Sequence, residues 1–384
     1  MRRLACARMK IAMVTETYPP EVNGVARTMQ EMVEGLRRRG HAIRLARPRQ
    51  GESDQPYLDG NLREWLGRGF AIPRYPQLKM GLPAKGALLQ QWREWRPDIV
   101  HIATEGPLGW SALGAAQALS IPIATDFHTN FHWYSRHYGA GWLARPVMAY
   151  LRHFHNRAGC TLVPTDEMAR ELSHYGIRGL RIVGRGVNPA VFAPAKRSIE
   201  LRARWGATED TPVALCVSRF APEKNFPLVI QAFEAIRALR PDARLVLVGD
   251  DGPLAQALRR RNVGYIIAGR LVNGELSAHY ASADVFLFAS TSETFGNVVL
   301  EAMASGLGIA AYCYAAAREH LRDGESALLA PLDDEKAFMA AAVRLACDLP
   351  LARRLGRAAR AVAEKVTWER IVGDFEAVLA DAAA

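Results

Sequence analysis

Residues 283–301 read ADVFLFASTSETFGNVVLE and contain three successive structural signals. The continuous apolar run in Ala283–Ser290 predicts a strand that is buried on both faces. A short loop with Gly296 follows, and a helical pattern starts at Asn297. In a turn of this kind, free backbone N–H groups and the helix dipole together favour an anion. The stretch therefore predicts a strand–turn–helix unit with an anion site at the carboxyl end of the strand.

Two carboxylates flank this turn and indicate a second kind of ligand group. Glu293 precedes the turn and Glu301 lies just over one helical turn inside the helix, so both can face one ligand. Carboxylates accept hydrogen bonds from hydroxyls and are unsuited to phosphates. A nucleotide sugar offers both groups, so the pattern predicts a nucleotide-sugar site. The ordinary alternative for such a pair is solvated glutamate at a helix start.

The same alternation of strands and helices runs through the whole chain. In the N-terminal half the predicted strands are Lys10–Thr17, His41–Pro48, Ile99–Thr104, Pro122–His128, Cys160–Thr165 and Arg181–Val187. The C-terminal half restarts the pattern with Val213–Phe220, Ala243–Asp250, Tyr265–Arg270, Ala283–Ser290 and Gly308–Cys313. Apolar strands separated by helices mean parallel sheets covered on both faces. We therefore predict an α/β fold of two Rossmann-like domains facing a cleft.

The domain boundaries are predicted from the point where the pattern restarts. Residues 188–209 contain Pro189 and Pro194 among charged residues and are a plausible linker. We expect the first Rossmann-like domain over residues 1–190 and the second over residues 191–366. Residues 367–384 are expected to form a C-terminal helix that crosses back to the first domain.

Composition places the chain among soluble globular proteins. The 384 residues are 49% hydrophobic and 23% charged, which is enough apolar content for two ordinary cores. No apolar run approaches the roughly 18 residues that span a bilayer. The five cysteines are far apart and form no Cys-x-x-Cys pair. We expect them to be buried thiols in a reducing cytoplasm.

Charge is unevenly distributed between the halves. Residues 1–190 hold 26 Lys and Arg against 15 Asp and Glu, whereas the remainder holds 23 against 24. The first half therefore has a net charge of +11, which predicts an acidic partner. Nucleic-acid binding is one function that such a positive charge favours. That hypothesis leaves Glu293 and Glu301 unexplained, so we do not expect a nucleic-acid partner.

Further candidate residues lie at the ends of other predicted strands. Arg219 and Lys224 follow Val213–Phe220, where two cations can neutralise a diphosphate and the charge that builds on it as a leaving group. Gly24 precedes a helix, and its backbone can approach a phosphate. His128 ends another strand within a polar and aromatic stretch. The alternative for Arg219 and Lys224 is a pair of surface cations, and for Gly24 it is an ordinary turn. For His128 it is a core or surface histidine.

In this order, these motifs resemble those of the retaining, metal-independent glycosyltransferases of family 4, which have the GT-B fold. The resemblance covers essentially the whole chain. Its most specific parts are the motif SRFAPEKN at residues 218–225, the Gly249-Asp250 pair and the Glu293-x7-Glu301 element. Among the family, the chain resembles the bacterial lipid and mannosyl glycosyltransferases. The family usually has a Gly-rich loop where this chain has Ala315–Glu319, and we expect a helix start or a tighter loop there.

The resemblance implies a role for each candidate. The expected catalytic residues are His128, Glu293, Arg219 and Lys224. Of these, Glu293 and His128 would contact the hexose, whereas Glu301 would bind the ribose. Arg219 and Lys224 would hold the diphosphate together with Gly24. Main-chain groups would complete the donor site, and the residues that supply them would be Leu271 beside the base and Phe295, Gly296, Asn297 and Val298 in the turn. No metal or other cofactor is expected, since the nucleotide sugar is itself a substrate.

The expected function is transfer of a hexose from a donor of the GDP-mannose or UDP-glucose type with retention of anomeric configuration. The N-terminal domain would carry the acceptor, which we expect to be a membrane lipid or a lipid-linked glycan. Arg63–Pro83 and Arg136–Phe154 mix cations with aromatic residues, which predicts docking on an anionic membrane surface from the cytoplasm. A nucleotide-sugar epimerase of the same fold is the alternative enzyme.

Overall fold

The computed structural model describes residues 8–21, 23–72, 75–128, 141–249, 256–257, 259–260 and 264–384. The chain divides into two compact units, which are treated separately below. Unit 1 comprises Met1–Arg185 and Trp368–Ala384, and unit 2 comprises Gly186–Thr367. None of the described helices is long and apolar enough to cross a bilayer.

The described strands and helices are numbered in chain order. The strands are β1 Lys10–Val14, β2 Ala42–Pro48, β3 Leu58–Asp59, β4 Leu62–Gly67, β5 Gly69–Ile72, β6 Tyr75–Gly81, β7 Ile99–Ile102, β8 Ile123–Asp126, β9 Cys160–Val163, β10 Leu180–Ile182, β11 Val213–Val217, β12 Arg244–Val248, β13 Tyr265–Gly269, β14 Val285–Phe288, β15 Gly308–Tyr312 and β16 Leu328–Ala330. The helices are α1 Gly24–Arg38, α2 Lys85–Trp95, α3 Pro107–Ala118, α4 Gly141–His155, α5 Asp166–His174, α6 Ile199–Arg204, α7 Phe226–Leu239, α8 Asn273–Ser282, α9 Asn297–Ala304, α10 Ala315–His320, α11 Glu335–Cys347, α12 Leu349–Ala363 and α13 Trp368–Ala383.

Unit 1 is built on an eight-stranded sheet with the order β10-β9-β8-β7-β1-β2-β4-β3. All of its pairings are parallel except the one between β3 and β4. Strands β5 and β6 form a separate antiparallel pair. The central strands are buried along their length, as the predicted two-sided covering requires.

Unit 2 has a six-stranded, fully parallel sheet with the order β13-β12-β11-β14-β15-β16. Every residue of β11, β14 and β15 is buried. Hydrophobic clusters cover the two faces of the sheet, one of them including Phe286 and Leu300 and the other Leu287 and Phe233. The predicted α/β fold with parallel sheets is therefore confirmed.

Most predicted strands extend beyond the observed ones at their carboxyl ends. For example, β1 stops at Val14 rather than Thr17, and β14 stops at Phe288 rather than Ser290. Some of the excess residues leave the strand because their polar groups bond locally, as the hydroxyl of Thr15 does by donating to the carbonyl of Thr17. Sequence analysis does not identify the strands between residues 58 and 81, because they lie at or next to a sheet edge or in a small hairpin and lack a continuous apolar run.

Helix α13 packs in unit 1 against α1 and the sheet. At this contact, a Cβ atom on Gly35 of α1 would lie 2.4 Å from Cγ2 of Val372 on α13. That distance is too short for two carbon atoms that are not bonded to each other, and the valine side chain has little rotational freedom. The absence of a side chain at Gly35 is therefore what allows the two helices to approach.

We expect Gly35→Ala to lower the free energy of unfolding by about 1–2 kcal/mol, because overpacking outweighs the gain in helix propensity. Denaturant titration followed by circular dichroism measures this change. The matched double variant Gly35→Ala/Val372→Ala should recover part of the loss, since it removes the two methyl groups that clash. A single variant at least as stable as the wild type would show that the two helices do not meet as described.

Candidate active site

Unit 2 has a topological switch point between β11 and β14. The sheet extends from β11 to β13 on one side and from β14 to β16 on the other. In open parallel sheets, ligands bind outside the carboxyl ends of the strands at such a point. The segment after β11 carries Arg219 and Lys224, and the segment after β14 carries Glu293 and Gly296. Four of the predicted donor-site residues therefore lie beside the switch point.

The structure brings Lys224 and Glu293 together as an ion pair. Nζ of Lys224 contacts Oε1 of Glu293 and lies 3.5 Å from Oγ of Ser290. The two side chains are only 11% and 13% exposed. Such a pair places a positive and a negative group side by side, so one ligand can meet both a cation and a hydrogen-bond acceptor there.

Arg219 has a different environment from Lys224. Its side chain is 63% exposed, and its Nη2 atom lies 3.4 Å from Oε1 of Glu223. Glu223 itself is buried, and its Oε2 atom has no hydrogen-bond partner within the described part of the chain. The two predicted diphosphate cations thus differ in exposure, because Arg219 is mostly exposed beside Glu223 whereas Lys224 is largely buried beside Glu293.

The segments after β11 and β14 are tied together by hydrogen bonds. The carbonyl oxygen of Glu223 accepts from the backbone N–H of Thr291 at 3.0 Å and from Oγ of Ser290 at 3.3 Å. The hydroxyl of Tyr314, which follows β15, donates to the carbonyl oxygen of Glu293 at 2.8 Å. These bonds fix the backbone that carries the ion pair.

The turn before α9 has the predicted geometry. Gly296 has φ of +91°, a conformation that favours glycine, and Asn297 begins the helix. Phe295 is buried beneath the turn with 4% exposure. Helix geometry leaves the N–H groups of Asn297 and Val298 without partners inside the helix, so they are available to an anion. Glu301 lies in the next turn of α9 and is 6% exposed.

Two other elements border the carboxyl end of this sheet. Leu271 lies between β13 and α8, is half-buried and packs against the core of unit 2. The segment that departs from the family pattern begins helix α10 at Ala315, as expected for a helix start. Ala315 has φ of +49°, where a non-glycine residue is strained by about 1–2 kcal/mol. The N–H of Ala316 donates to the carbonyl of Phe295 at 2.8 Å and joins this helix to the turn.

One predicted motif falls outside the described residues. Gly249 follows β12, but Asp250, the second residue of the Gly249-Asp250 pair, lies outside the described residues. Within the described ranges, no group of three or more His, Cys, Asp or Glu side chains could hold a metal ion.

In unit 1, Gly24 is the first residue of α1 and is exposed. The preceding residue, Asn23, caps the helix by accepting from the N–H of Ala26 at 2.8 Å. The carboxylate of Glu21 organises this loop, because it accepts from the side chains of Thr17 and Asn23 among others. The helix therefore begins at an exposed glycine, in a loop that follows the carboxyl end of β1 and is fixed by side-chain hydrogen bonds.

His128 lies just after β8 and belongs to a buried ionic cluster. Its Nε2 atom is 3.2 Å from Oδ2 of Asp126, and Nη2 of Arg185 lies 3.3 Å from its Nδ1 atom. A guanidinium can only donate, so Nδ1 accepts and the ring proton on Nε2 faces Asp126. Within unit 1, the Nδ1 atom of His128 is hydrogen-bonded to Arg185 and its Nε2 atom lies at ion-pair distance from Asp126, so the two neighbours restrict the orientation of the ring.

The charges in this cluster support one another. Arg185 also lies 3.4 Å from Oδ1 of Asp126, and both side chains are 3% exposed. Burial alone would raise the pKa of Asp126, but the interactions with His128 and Arg185 outweigh it and hold that pKa below its usual value. Burial also lowers the pKa of the nearby His101 to about 4, so this fully buried ring is neutral.

Sequence reasoning assigned no role to several residues that shape these sites. Glu223 lies beside Lys224 in the motif SRFAPEKN, and Asp126 lies two residues before His128 in the predicted strand Pro122–His128. Closeness to a predicted site residue was therefore the available signal. Arg185 and Tyr314 gave no local signal, because their contacts come from segments distant in sequence.

Comparison with known proteins identifies the family. Residues 22–191 match the family description Glycosyltransferase Family 4, and residues 211–348 match Glycosyl transferases group 1. The chain is 32% identical over 378 residues to the GDP-mannose-dependent alpha-mannosyltransferase of Mycolicibacterium smegmatis, covering 97% of this chain and 98% of that protein. It belongs to glycosyltransferase family 4. The sulfoquinovosyl transferase of Arabidopsis thaliana is 30% identical, with 94% of this chain and 71% of the relative covered.

Solved structures agree with this assignment at the level of the fold. Sucrose-phosphate synthase from Thermosynechococcus elongatus superposes with a TM-score of 0.77 at 19% identity, covering 97% of this chain and 98% of that one. Anabaena HepE in complex with UDP-glucose gives a TM-score of 0.76 at 17% identity, with 97% and 100% covered. The predicted GT-B type of α/β fold is confirmed, and so is the predicted family.

We expect Arg185→Gln to lower the free energy of unfolding by about 3–5 kcal/mol, because it leaves the Asp126 carboxylate buried without its cation. Adding Asp126→Asn should cost less than the sum of the two single changes, since the double variant leaves no unpaired buried charge. Urea titration of the wild type, both single variants and the double variant measures the coupling. Strictly additive losses would contradict an ion pair between these residues.

Proposed function

We propose that this glycosyltransferase moves a hexosyl group from a nucleotide-diphosphate sugar to a hydroxyl acceptor with retention of anomeric configuration. The observation that carries the proposal is the Lys224–Glu293 ion pair at the switch point of unit 2, next to the N-terminus of α9. Phosphates suit the cation and the helix N-terminus, whereas sugar hydroxyls suit the carboxylate. A nucleotide sugar combines these groups in one molecule.

We propose GDP-mannose as the donor. Proteins named GDP-mannose-dependent alpha-mannosyltransferase from three species are 30–32% identical to this chain. Relatives named alpha-monoglucosyldiacylglycerol synthase are 28–30% identical and match a smaller share of the chain. The mannosyl donor is therefore better supported than a glucosyl donor.

The proposed chemistry breaks the bond between the anomeric carbon and the diphosphate oxygen. The acceptor oxygen bonds to that carbon on the same face, and the proton of the acceptor hydroxyl passes to the departing diphosphate. Negative charge builds on the departing diphosphate. Lys224 and the exposed Arg219 would stabilise that charge, together with the N–H groups of Asn297 and Val298. Because these groups already supply positive charge, we propose that no metal ion is needed.

His128 and Glu293 are proposed to contact the hexose, and Glu301 the ribose. The buried neighbours Asp126 and Arg185 restrict the orientation of the His128 ring, which suits a positioned contact with the hexose. The low exposure of Glu301 suits a carboxylate that binds its ligand within a narrow space. Leu271 and the backbone of Gly24 are proposed to complete the donor contacts.

The proposed acceptor is a lipid or a lipid-linked glycan at the cytoplasmic face of a membrane. The excess of basic residues in the first 190 residues supports docking on an anionic surface. In the first predicted segment, Trp65 packs on the core of unit 1, while Phe70 is 44% exposed. In the described part of the second segment, Val147 and Tyr150 are 37% and 43% exposed on α4.

A donor-hydrolysis screen tests the proposed donor and the proposed metal independence. We expect GDP-mannose to be hydrolysed faster than GDP-glucose, UDP-glucose and UDP-galactose, with no loss of rate in EDTA. EDTA should have no effect because cations of the protein, rather than a metal ion, stabilise the leaving diphosphate. Fastest turnover of a UDP-sugar would overturn the donor proposal. Activity abolished by EDTA and restored by magnesium would overturn metal independence.

We expect Glu293→Ala to lower kcat about 100-fold or more, because this carboxylate faces the sugar that reacts. Glu301→Ala should mainly raise KM for the donor, since the ribose does not change during the reaction. Exposed Glu325→Ala is the matched control and should keep wild-type kinetics. Steady-state kinetics with thermal denaturation of each variant separates these effects from unfolding. Wild-type kcat in Glu293→Ala would refute the assigned roles.

A further inference from the structure

The loop between β14 and α9, which carries Glu293, is contacted by the segment that follows β15. Two hydrogen bonds join them. The hydroxyl of Tyr314 donates to the carbonyl of Glu293 at 2.8 Å, and the N–H of Ala316 donates to the carbonyl of Phe295 at 2.8 Å. Phe295 directly precedes Gly296. The segment after β15 is therefore bonded to the loop just before the turn that begins α9.

The hydroxyl of Tyr314 meets both backbone polar groups of Glu293. Besides donating to the carbonyl, it accepts from the backbone N–H of the same residue at 3.4 Å. Glu293 lies in neither a strand nor a helix, so no regular ladder of backbone hydrogen bonds fixes its conformation. One tyrosine hydroxyl therefore restrains the backbone of the residue that carries the carboxylate.

Tyr314 is itself held in place. Its carbonyl accepts from the N–H of Ala317 at 3.2 Å, and the N–H of the preceding Cys313 donates to the carbonyl of Ala330 in β16 at 2.7 Å. Its ring packs against the core of unit 2. The next residue, Ala315, has φ of +49°, and a non-glycine residue keeps such a conformation only where the surrounding structure fixes it. Tyr314 is therefore an anchored hydrogen-bonding group.

The backbone of Glu293 matters because its carboxylate has to be in a defined place. The carboxylate contacts Nζ of Lys224, and in the proposed reaction it also contacts the hexose. The lysine side chain is a flexible four-carbon stem, so the ion pair alone can shift as a unit. A displacement of about 1 Å at a reacting centre can lower a rate about 100-fold. A fixed backbone at Glu293 would prevent such a displacement.

We propose that Tyr314 is a positioning residue of the transfer reaction. Its hydroxyl restrains the backbone of Glu293 and thereby orients the carboxylate toward the hexose in the transition state. The proposal rests on the proposed function, because the contact between Glu293 and the hexose is part of it. A hydroxyl that only stabilises the fold is the alternative, and it gives a different result in the experiment below.

The test variant is Tyr314→Phe, which removes the hydroxyl and keeps the ring. Tyr265→Phe is the matched control, because it also removes a tyrosine hydroxyl from unit 2. The Tyr265 hydroxyl contacts Glu234, and Tyr265 begins β13, at the opposite end of the sheet from Glu293. Hydrogen exchange followed by mass spectrometry reports on peptides that span residues 291–297. Hydrolysis of GDP-mannose gives kcat and KM, and thermal denaturation checks that each variant is folded.

We expect Tyr314→Phe to raise the exchange rate of residues 291–297 about fivefold, because a hydrogen bond of ordinary strength is lost. Its kcat should fall about tenfold while KM changes less than about twofold, since Glu293 acts on the sugar that reacts and other groups hold the nucleotide. Tyr265→Phe should match the wild type in all three quantities.

A third variant separates positioning from a purely structural role. In a Glu293→Ala background, Tyr314→Phe should lower kcat less than about twofold, because no carboxylate is left to orient. The same tenfold loss in that background, or unchanged exchange rates in the single variant, would overturn the proposal. If the wild type hydrolyses none of the four donors of the screen, the proposed function fails, whereas the exchange rates still decide whether Tyr314 restrains Glu293.

Discussion

The parallel pairing of β11 with β14 is the constraint on which the candidate donor site depends. Ala214 lies beside Val285 and Leu215 beside Phe286, so the two strands end at the same edge of the sheet. Residues that follow the first strand are thereby placed beside residues about seventy positions later in the chain. The ion pair of Lys224 and Glu293 is a direct consequence, because neither side chain could reach the other without this register.

Unit 1 uses the same arrangement of strand ends but stabilises its site residue differently. In unit 2 the loops are joined by hydrogen bonds from backbone N–H and hydroxyl groups to backbone carbonyls. In unit 1 the buried ion pair of Asp126 and Arg185 contacts His128 instead. Burying these charges is costly unless each is paired. The cluster therefore persists only in a single geometry, which gives His128 a fixed orientation at the expense of tolerance to substitution.

The structure also shows that the arginines behind the excess positive charge have different environments. Several arginines of unit 1 are paired with carboxylates and act as structural ties, as Arg47 does with Asp54 and Glu64. Arg157 differs, because its guanidinium donates to Gln117 and His153 rather than to a carboxylate. A net charge of +11 over the first 190 residues therefore indicates an acidic partner but cannot say which arginines meet it.

The sequence by itself determined the α/β class, the repeated strand–helix pattern, the family and the turn at Gly296, since all of these follow from local periodicity and short motifs. It also placed Arg219, Lys224 and Glu293 after strand ends and Glu301 in the helix that follows, because these positions follow from the order of strand, turn and helix in the sequence. Only the tertiary structure decided that Lys224 pairs with Glu293 while Arg219 stays exposed, and that Arg185 reaches His128. Such contacts join segments far apart in the chain, and strand register rather than local sequence sets which side chains meet.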